Sequence, residues 1–351
     1  MRVGIVGAGF AGLAAAIALR EAGHDVTVFE KASGLPTAGG AISLAPNALA
    51  CLSILGVRDQ VPTDYWAGIA GTVRTARGEV LVRSTLAGLT GGEFATVLRS
   101  QLIGWLTTRL PAGCVRYSEA VYRVDVDGTI HSSGSDERFD LVVGADGARG
   151  VVRRSLWPKA PALRATGVSG WAWIVDRKLS SGFGTIWGRT DHFGILPLSD
   201  DSTYVYGASW VRGARLSAFD HWPDPLPELI DAAAPERMIT PEIFEARPPW
   251  RLVRGRVVLI GDAAHTMQPT FGQGAALAME DAITLAHHGA AGLSRRRPRL
   301  LALYGLSKGG AYFAAPRLAA LEDARNLAMR ITPDALFGSL AGVVSRWQAP
   351  T

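Results

Sequence analysis

From Val3 to Leu19 the chain carries no charge, and glycines interrupt that run at Gly4, Gly7, Gly9 and Gly12. Behind a lone Arg2, the run has the outline of a secretory signal or a short membrane anchor. The glycines argue against both, because a signal core is an unbroken apolar helix. The segment divides instead into a β-type run from Arg2 to Val6, a glycine turn, an Ala/Leu-rich helix to about Ala22, and a second β-type run from Asp25 to Glu30. No other stretch reaches the roughly 18 apolar residues of a spanning helix. The expectation is a soluble, cytoplasmic protein with no membrane partner.

The turn itself, Gly7 to Gly12, reads GxGxxG. Alone such a motif is weak, but here it follows a strand and opens a helix, and Glu30 ends the next strand 18 residues after Gly12. That is where a dinucleotide fingerprint places an acid for ribose hydroxyls. Gly7 suits the tight turn, Gly9 lets a pyrophosphate approach the backbone, and Gly12 lets helix and strand pack closely, with the helix N-terminus facing the anion. A dinucleotide is expected; this motif leaves FAD and NAD open.

Two later stretches put an aspartate at the carboxyl end of a buried strand, the place where open α/β sheets bind ligands. Asp140 to Arg149 runs through Gly144, Asp146 and Gly147, and Arg256 to His265 runs through Gly261 and Asp262. Here the chain resembles the single-component (group A) FAD-dependent monooxygenases of the para-hydroxybenzoate hydroxylase type. The resemblance rests on the N-terminal GxGxxG, the central GADG, and a late GDAAH with Pro269, Gly272-Gln273-Gly274 and the acidic pair Glu280-Asp281. It extends to the loop Ala38 to Leu44, to Arg99, and to helices from Tyr304 onward.

The resemblance implies an α/β fold with a Rossmann-like FAD-binding domain, an inserted β-sheet substrate domain and C-terminal helices. It implies that Glu30, with Lys31 beside it, serves the adenosine ribose and Arg99 the FAD backbone. Gly40 and Ala41 would lie against the flavin, Asp146 would serve the FAD and nicotinamide cofactors, and Asp262 the ribityl chain. Independently, Gly272-Gln273-Gly274 opens a helix expected from Ala275 to His287, and a helix N-terminus carries partial positive charge that would stabilise an anionic reduced flavin. Pro269, with its fixed φ, shapes the adjoining turn. His265 reads as structural or flavin-side rather than as a catalytic base. Two departures stand out: Ala276 where many relatives have asparagine, and Gly150 where serine is common, a change of little expected consequence because both residues cap helices.

Ten tryptophans are unevenly placed, and Trp171, Trp173, Trp187, Trp210 and Trp222 crowd into about fifty residues. Even spacing puts Trp171 with Trp173, Phe183 with Trp187, and Tyr204 with Tyr206 and Trp210, each set on one face of a strand. Such a face either roofs a pocket for a flat apolar substrate or packs against helices or a dimer partner. Arg189 and His192 are polar anchors to consider for a phenolate or carboxylate. Ala172, in place of the arginine of several aromatic and urate hydroxylases, argues against carrying their substrates over. The stretch Gly170 to Val175 is also loosely similar to the WxWxIP signature of flavin-dependent halogenases, but Asp176 replaces its proline.

At 351 residues with 48% hydrophobic content, the chain is long enough for two domains. Expected are a discontinuous FAD-binding domain (1–70, 95–160 and 250–290), a substrate domain (71–94 and 161–249) and bridging helices (291–351). The formal charge is +5, and all but four of the 36 basic residues are arginines. Only 294–299 forms a basic run, which reads as a solvated loop rather than a nucleic-acid patch. Cys51 and Cys114 fit no metal or dithiol spacing and read as buried thiols.

The activity implied is NAD(P)H- and O2-dependent hydroxylation or epoxidation of an aromatic or polycyclic small molecule through a flavin C4a-hydroperoxide, in a monomer or homodimer. No protein acid, base or metal is assigned, because the cofactor carries the chemistry. Alternatives are a flavin oxidoreductase or halogenase-like enzyme without net oxygenation, and a non-catalytic FAD-binding protein that protects a reactive intermediate.

Overall fold

The charge-free run is buried except at the turn Gly7 to Gly9. Arg2–Val6 is a central strand of a six-stranded sheet whose spatial order is Val253–Arg254, Val257–Leu259, Leu141–Gly144, Arg2–Val6, Asp25–Phe29 and Val115–Arg116. All neighbours are parallel except the outermost pair. The helix Phe10–Glu21 follows, with every residue from Phe10 to Leu19 buried between the sheet and the long helix Gly274–Arg295. A helix apolar all round is a core helix. It ends at Gly23, where φ is +81° and the His24 amide bonds back to the Leu19 carbonyl at 3.0 Å, a left-handed cap that glycine adopts at no steric cost.

The computed structural model describes residues 1–37, 39–61, 68–198 and 201–350. Ala38 of the loop before Leu44, and 62–67 of the first expected FAD-domain segment, lie outside the described residues. Among the described residues, no single helix is long and apolar enough to cross a membrane.

A second six-stranded sheet runs Ser169–Val175, Thr203–Ser209, Asp191–Pro197, Gly184–Trp187, Ala70–Thr75 and Val80–Thr85. It is antiparallel except where Gly184–Trp187 lies parallel to Ala70–Thr75. The ribbon Ala41–Leu44/Ala95–Leu98 leads toward it. The helices Arg297–Ala314, Ala319–Ile331 and Asp334–Ser345 reach both halves. Thr270 of the first half donates to the Ser307 carbonyl at 2.9 Å, and Trp187 of the second sheet meets Phe313 and Phe337 edge-on or tilted, at 5.9 and 6.5 Å between ring centroids.

Two expectations are corrected. The helix expected to end at His287 continues to Arg295 through a break at Gly289, where φ is +61°. Glycine tolerates that conformation, so the helix kinks instead of stopping. The basic run 294–299 is not a solvated loop: Arg296 is 8% exposed, and both Arg296 and Arg299 reach back to buried carboxylates.

Candidate functional site

The glycine loop sits at the carboxyl end of the central strand, where the first helix begins. Gly7 has φ +101°, and a Cβ on it would come 2.6 Å from the Ala145 carbonyl oxygen. A Cβ on Gly12 would overlap the Gly7 carbonyl oxygen, whereas one on Gly9 would meet nothing within 4 Å. Two of the glycines are therefore required by packing, and the middle one leaves backbone open to a ligand. Glu30 stands beside the loop with both oxygens held, Oε2 by the Ala8 amide at 2.8 Å and Oε1 by the Ala32 amide at 2.8 Å. Lys31 is exposed next to it.

Arg99 is brought to the same cleft. Its amide donates to the Gly40 carbonyl at 3.0 Å, and its guanidinium lies 4.7 Å over the Phe10 ring. The guanidinium opens onto solvent, yet the surrounding walls desolvate it and lower its pKa, with the Asp262 carboxylate opposing. Asp262 is exposed at the start of its short helix, and a Cβ on Gly274 would lie 4.0 Å from its Oδ1. Pro269 begins a 3-10 turn that ends on Gly272, whose φ is +63°. A Cβ there would sit 3.6 Å from Ser43, next to Ala41 on the strand Ala41–Leu44. Gln273 caps the long helix, which starts at Gly274.

Asp146 abuts the glycine loop, its Cα 3.0 Å from a Cβ built on Gly7. It caps the helix Val151–Leu156 by accepting from the Val152 amide at 3.0 Å. Burial raises its pKa, and the helix amides oppose this. The capping carboxylate explains Gly150 better than interchangeability with serine does, since a Cβ at 150 would overlap that carboxylate.

Beneath the cleft lies a buried ionic network that sequence reasoning missed. Glu280 and Asp281 are both 0% exposed. Glu280 accepts from Asn47 at 2.6 Å, from Arg296 at 2.8 Å, and from two nitrogens of Arg299, each at 3.0 Å. Asp281 takes Arg296 Nε on one oxygen at 2.6 Å. Its other oxygen takes His265 Nε2 at 2.6 Å and the Gly261 amide at 3.1 Å. Burial alone would raise the Asp281 pKa, but His265 and Arg296 reverse this and hold it below the usual value. Asn47 also donates to Gln273 at 2.8 Å, so the network ties together the elements that carry Asp262 and Gly274. Two adjacent acids within an apolar helix were the available signal, because buried carboxylates need cations.

The aromatic residues divide. Trp171 lies opposite Gly207 and Trp173 opposite Val205, whereas Tyr204 and Tyr206 lie opposite Ile174 and Ala172. The tryptophans therefore occupy the other face of the sheet, where Trp171 stacks on Phe193 at 6.1 Å and Trp173 Nε1 donates to the Leu229 carbonyl at 2.9 Å. Trp171 and Trp173 are core residues, a correction to their expected place in the pocket. Tyr204 faces the cleft, its hydroxyl 3.6 Å from a Cβ built on Gly40, and Tyr206 is beside it at 5.9 Å between ring centroids. Trp187 packs on the C-terminal helices, and Trp210 stacks on Tyr312 at 5.2 Å beneath Arg317.

Residues 117–308 match the family model described as FAD binding domain, and residues 5–44 match an NAD(P)-binding Rossmann-like domain. The chain is 35% identical to 2-heptyl-3-hydroxy-4(1H)-quinolone synthase of Pseudomonas aeruginosa, over 82% of this chain and 80% of that protein. It belongs to the single-component FAD-dependent monooxygenases. Aurachin C monooxygenase/isomerase of Stigmatella aurantiaca is 31% identical over 86% of this chain and 83% of that protein. The crystal structure of Klebsiella pneumoniae HpxO with FAD and uric acid superimposes with a TM-score of 0.86 at 26% identity, covering 98% of this chain and 96% of that one. This monooxygenase is an oxidoreductase of the para-hydroxybenzoate hydroxylase fold, and FAD is its cofactor. The residues present fit that cofactor: an open backbone at Gly9 before a helix N-terminus, an oriented carboxylate at Glu30, and a cation at Arg99 across the cleft.

Proposed function

We propose that this chain is an NAD(P)H-dependent hydroxylase of a flat aromatic or heteroaromatic small molecule, bound between the segment 39–44 and the tyrosine face of the second sheet. The observation that carries this reading is the approach of Tyr204 to Gly40, which makes the sheet 169–209 the roof of the cleft that holds the glycine loop, Arg99 and Asp262. The division into an FAD-binding part (1–70, 95–160, 250–290), a substrate part (71–94, 161–249) and bridging helices (291–351) belongs to the same proposal.

When bound, FAD supplies the electron storage and oxygen chemistry. The chain's own residues bind and shield it. Gly9 would receive the pyrophosphate in the turn that Gly7 and Gly12 shape, Glu30 would hold the ribose hydroxyls, Arg99 the phosphate backbone, and Asp262 the ribityl chain, with Asp146 at the loop's flank. The amides from Gly272 to Gly274, at the positive end of the long helix, would favour negative charge on the cofactor ring. Tyr204 and Tyr206 exclude water above it. Substrate bound against them would accelerate reduction by NADPH or NADH.

The test is anaerobic addition of NADPH or NADH to FAD-loaded protein with and without a panel of aromatic rings, followed by turnover under oxygen-18 gas. Substrate-accelerated bleaching and one labelled oxygen in the product support the reading. Bleaching with no label in any product would make the protein a flavin oxidoreductase without net oxygenation.

A further inference from the structure

The roofing face carries its own specificity chemistry, and the inference that follows rests on the pocket just proposed. Strand register determines which side chains share that face. Thr185 lies opposite Gly194, and Trp187 opposite His192. Gly194 in turn lies opposite Tyr206, and Leu196 opposite Tyr204. Thr185, His192, Tyr204 and Tyr206 therefore project to the same side. The Tyr206 ring lies directly over Gly194, since a Cβ there would overlap it.

Two polar atoms of this group are buried with no hydrogen-bond partner among the described residues, Thr185 Oγ1 and His192 Nδ1. They project from neighbouring strands. Buried polar atoms are rarely left unmatched, and such a pair in a pocket is a site awaiting a ligand. Each can donate or accept: a hydroxyl does both, and a neutral imidazole does one or the other according to its tautomer.

The group is also uncharged. Burial lowers the His192 pKa to about 4, with Asp191 only partly opposing. It pushes Tyr206 up to about 12 and raises Tyr204 as well, the latter with its neighbour Tyr206 adding to the effect. Two arginines packed against Trp187 and Trp210 are already engaged. Arg325 is 4% exposed, with its guanidinium 5.7 Å from the Trp187 ring centroid, and it donates to the Gly188 carbonyl at 3.2 Å and to that of Ala314. Arg317 lies 3.8 Å over Trp210. Position 172 on this face is alanine.

We propose that the pocket selects an uncharged aromatic heterocycle presenting a hydrogen-bond donor and an acceptor on one edge, as a lactam does, with Thr185 and His192 as its partners, and that it rejects ring carboxylates. A carboxylate would lose its hydration to neutral groups with no counter-charge, which is costly. A lactam edge satisfies both unmatched atoms at once.

The experiment titrates FAD-loaded protein with 2-quinolinone, 2-naphthoate and naphthalene, reading the change in flavin absorbance and the rate of reduction by NAD(P)H. The lactam is expected to bind at least ~50-fold more tightly than the carboxylate. Thr185→Val is expected to weaken the lactam about 5- to 10-fold, the worth of one hydrogen bond, and to leave naphthalene unchanged. His192→Arg should reverse the order by strengthening naphthoate and weakening the lactam. Should naphthoate bind as well as the lactam in the unaltered protein, or should Thr185→Val leave the lactam's affinity as it was, the proposal is overturned. Reduction stimulated by naphthoate alone would overturn it while leaving the monooxygenase reading intact. Absence of any flavin response to all three rings would overturn the selectivity and the proposed pocket together.

Discussion

Two polar interiors lie on either side of the cleft, and they are built in opposite ways. Below it, Glu280 and Asp281 are charged and engaged on all four carboxylate oxygens, by three side-chain cations or imidazoles, one amide side chain and one backbone N–H. Among the described residues, two further buried atoms of this network, Asn47 Oδ1 and His265 Nδ1, have no partner. Above it, Thr185 and His192 are neutral and unmatched. A cluster that closes on itself is architecture: it fixes where Gly261 and Gln273 stand. A cluster left open adds little to the fold and is explained only by what enters the pocket.

The largest effect should come from opening the closed cluster. Arg296 alone touches both carboxylates. Arg296→Met would strand a buried charge on Asp281 Oδ1 and weaken the hold on Glu280, at a cost of about 3–5 kcal/mol. Urea unfolding of the FAD-loaded protein would register this as a fall in midpoint, with FAD affinity falling in parallel because Asp281 holds the Gly261 amide. A change below about 1 kcal/mol would mean that the network does not support the cleft.

Acid titration separates the two interiors next. Asp281 titrates below its usual value in the folded protein, so its contribution is complete above about pH 4 and is lost only as pH falls through that lowered value. His192 behaves differently. Its folded pKa of about 4 lies below the roughly 6.5 of an unfolded histidine, so the unfolded chain binds the extra proton as pH drops from about 6.5 toward 4, and stability falls by up to roughly 3 kcal/mol. In that window His192 of the open pocket contributes a slope and Asp281 contributes none. His192→Gln should flatten it, and parallel stability curves for the two proteins between pH 6.5 and pH 4 would refute the assignment.

How much of this was legible follows from how local each signal is. The glycine loop and Glu30 are joined by one strand–helix–strand unit, so their spacing along the chain is their spacing in the fold, and both come to one cleft. Strand alternation correctly grouped Trp171 with Trp173 and Tyr204 with Tyr206. It could not say that the two pairs face opposite ways, because that depends on Trp171 lying opposite Gly207 across the sheet, and a shift of one residue would exchange the faces. Arg296 and Arg299 were hidden for a related reason. Their local context is basic and proline-containing, and only the fold brings them to carboxylates 15 to 19 residues upstream, one of which Asn47, much earlier in the chain, also reaches. The helix beyond His287 was obscured by Gly289, a residue that permits a kink as readily as an end.

The smallest effect is a matched pair of identical substitutions within the second sheet. Thr203 is fully buried, and its Oγ1 donates to the Arg177 carbonyl at 2.7 Å. Thr203→Val removes that donor and leaves a carbonyl unsatisfied, so a loss of about 1–2 kcal/mol is expected. Thr185→Val exchanges the same atoms two strands away, but the hydroxyl it removes bonds to nothing in the protein. No partner is stranded, and a hydroxyl desolvated without return is replaced by a methyl group of similar volume. Stability should therefore hold within about 0.5 kcal/mol or rise slightly, even though ligand affinity falls. Equal losses in the two variants, measured by urea unfolding side by side, would show that Thr185 is held by the fold after all and would return it from the pocket to the core.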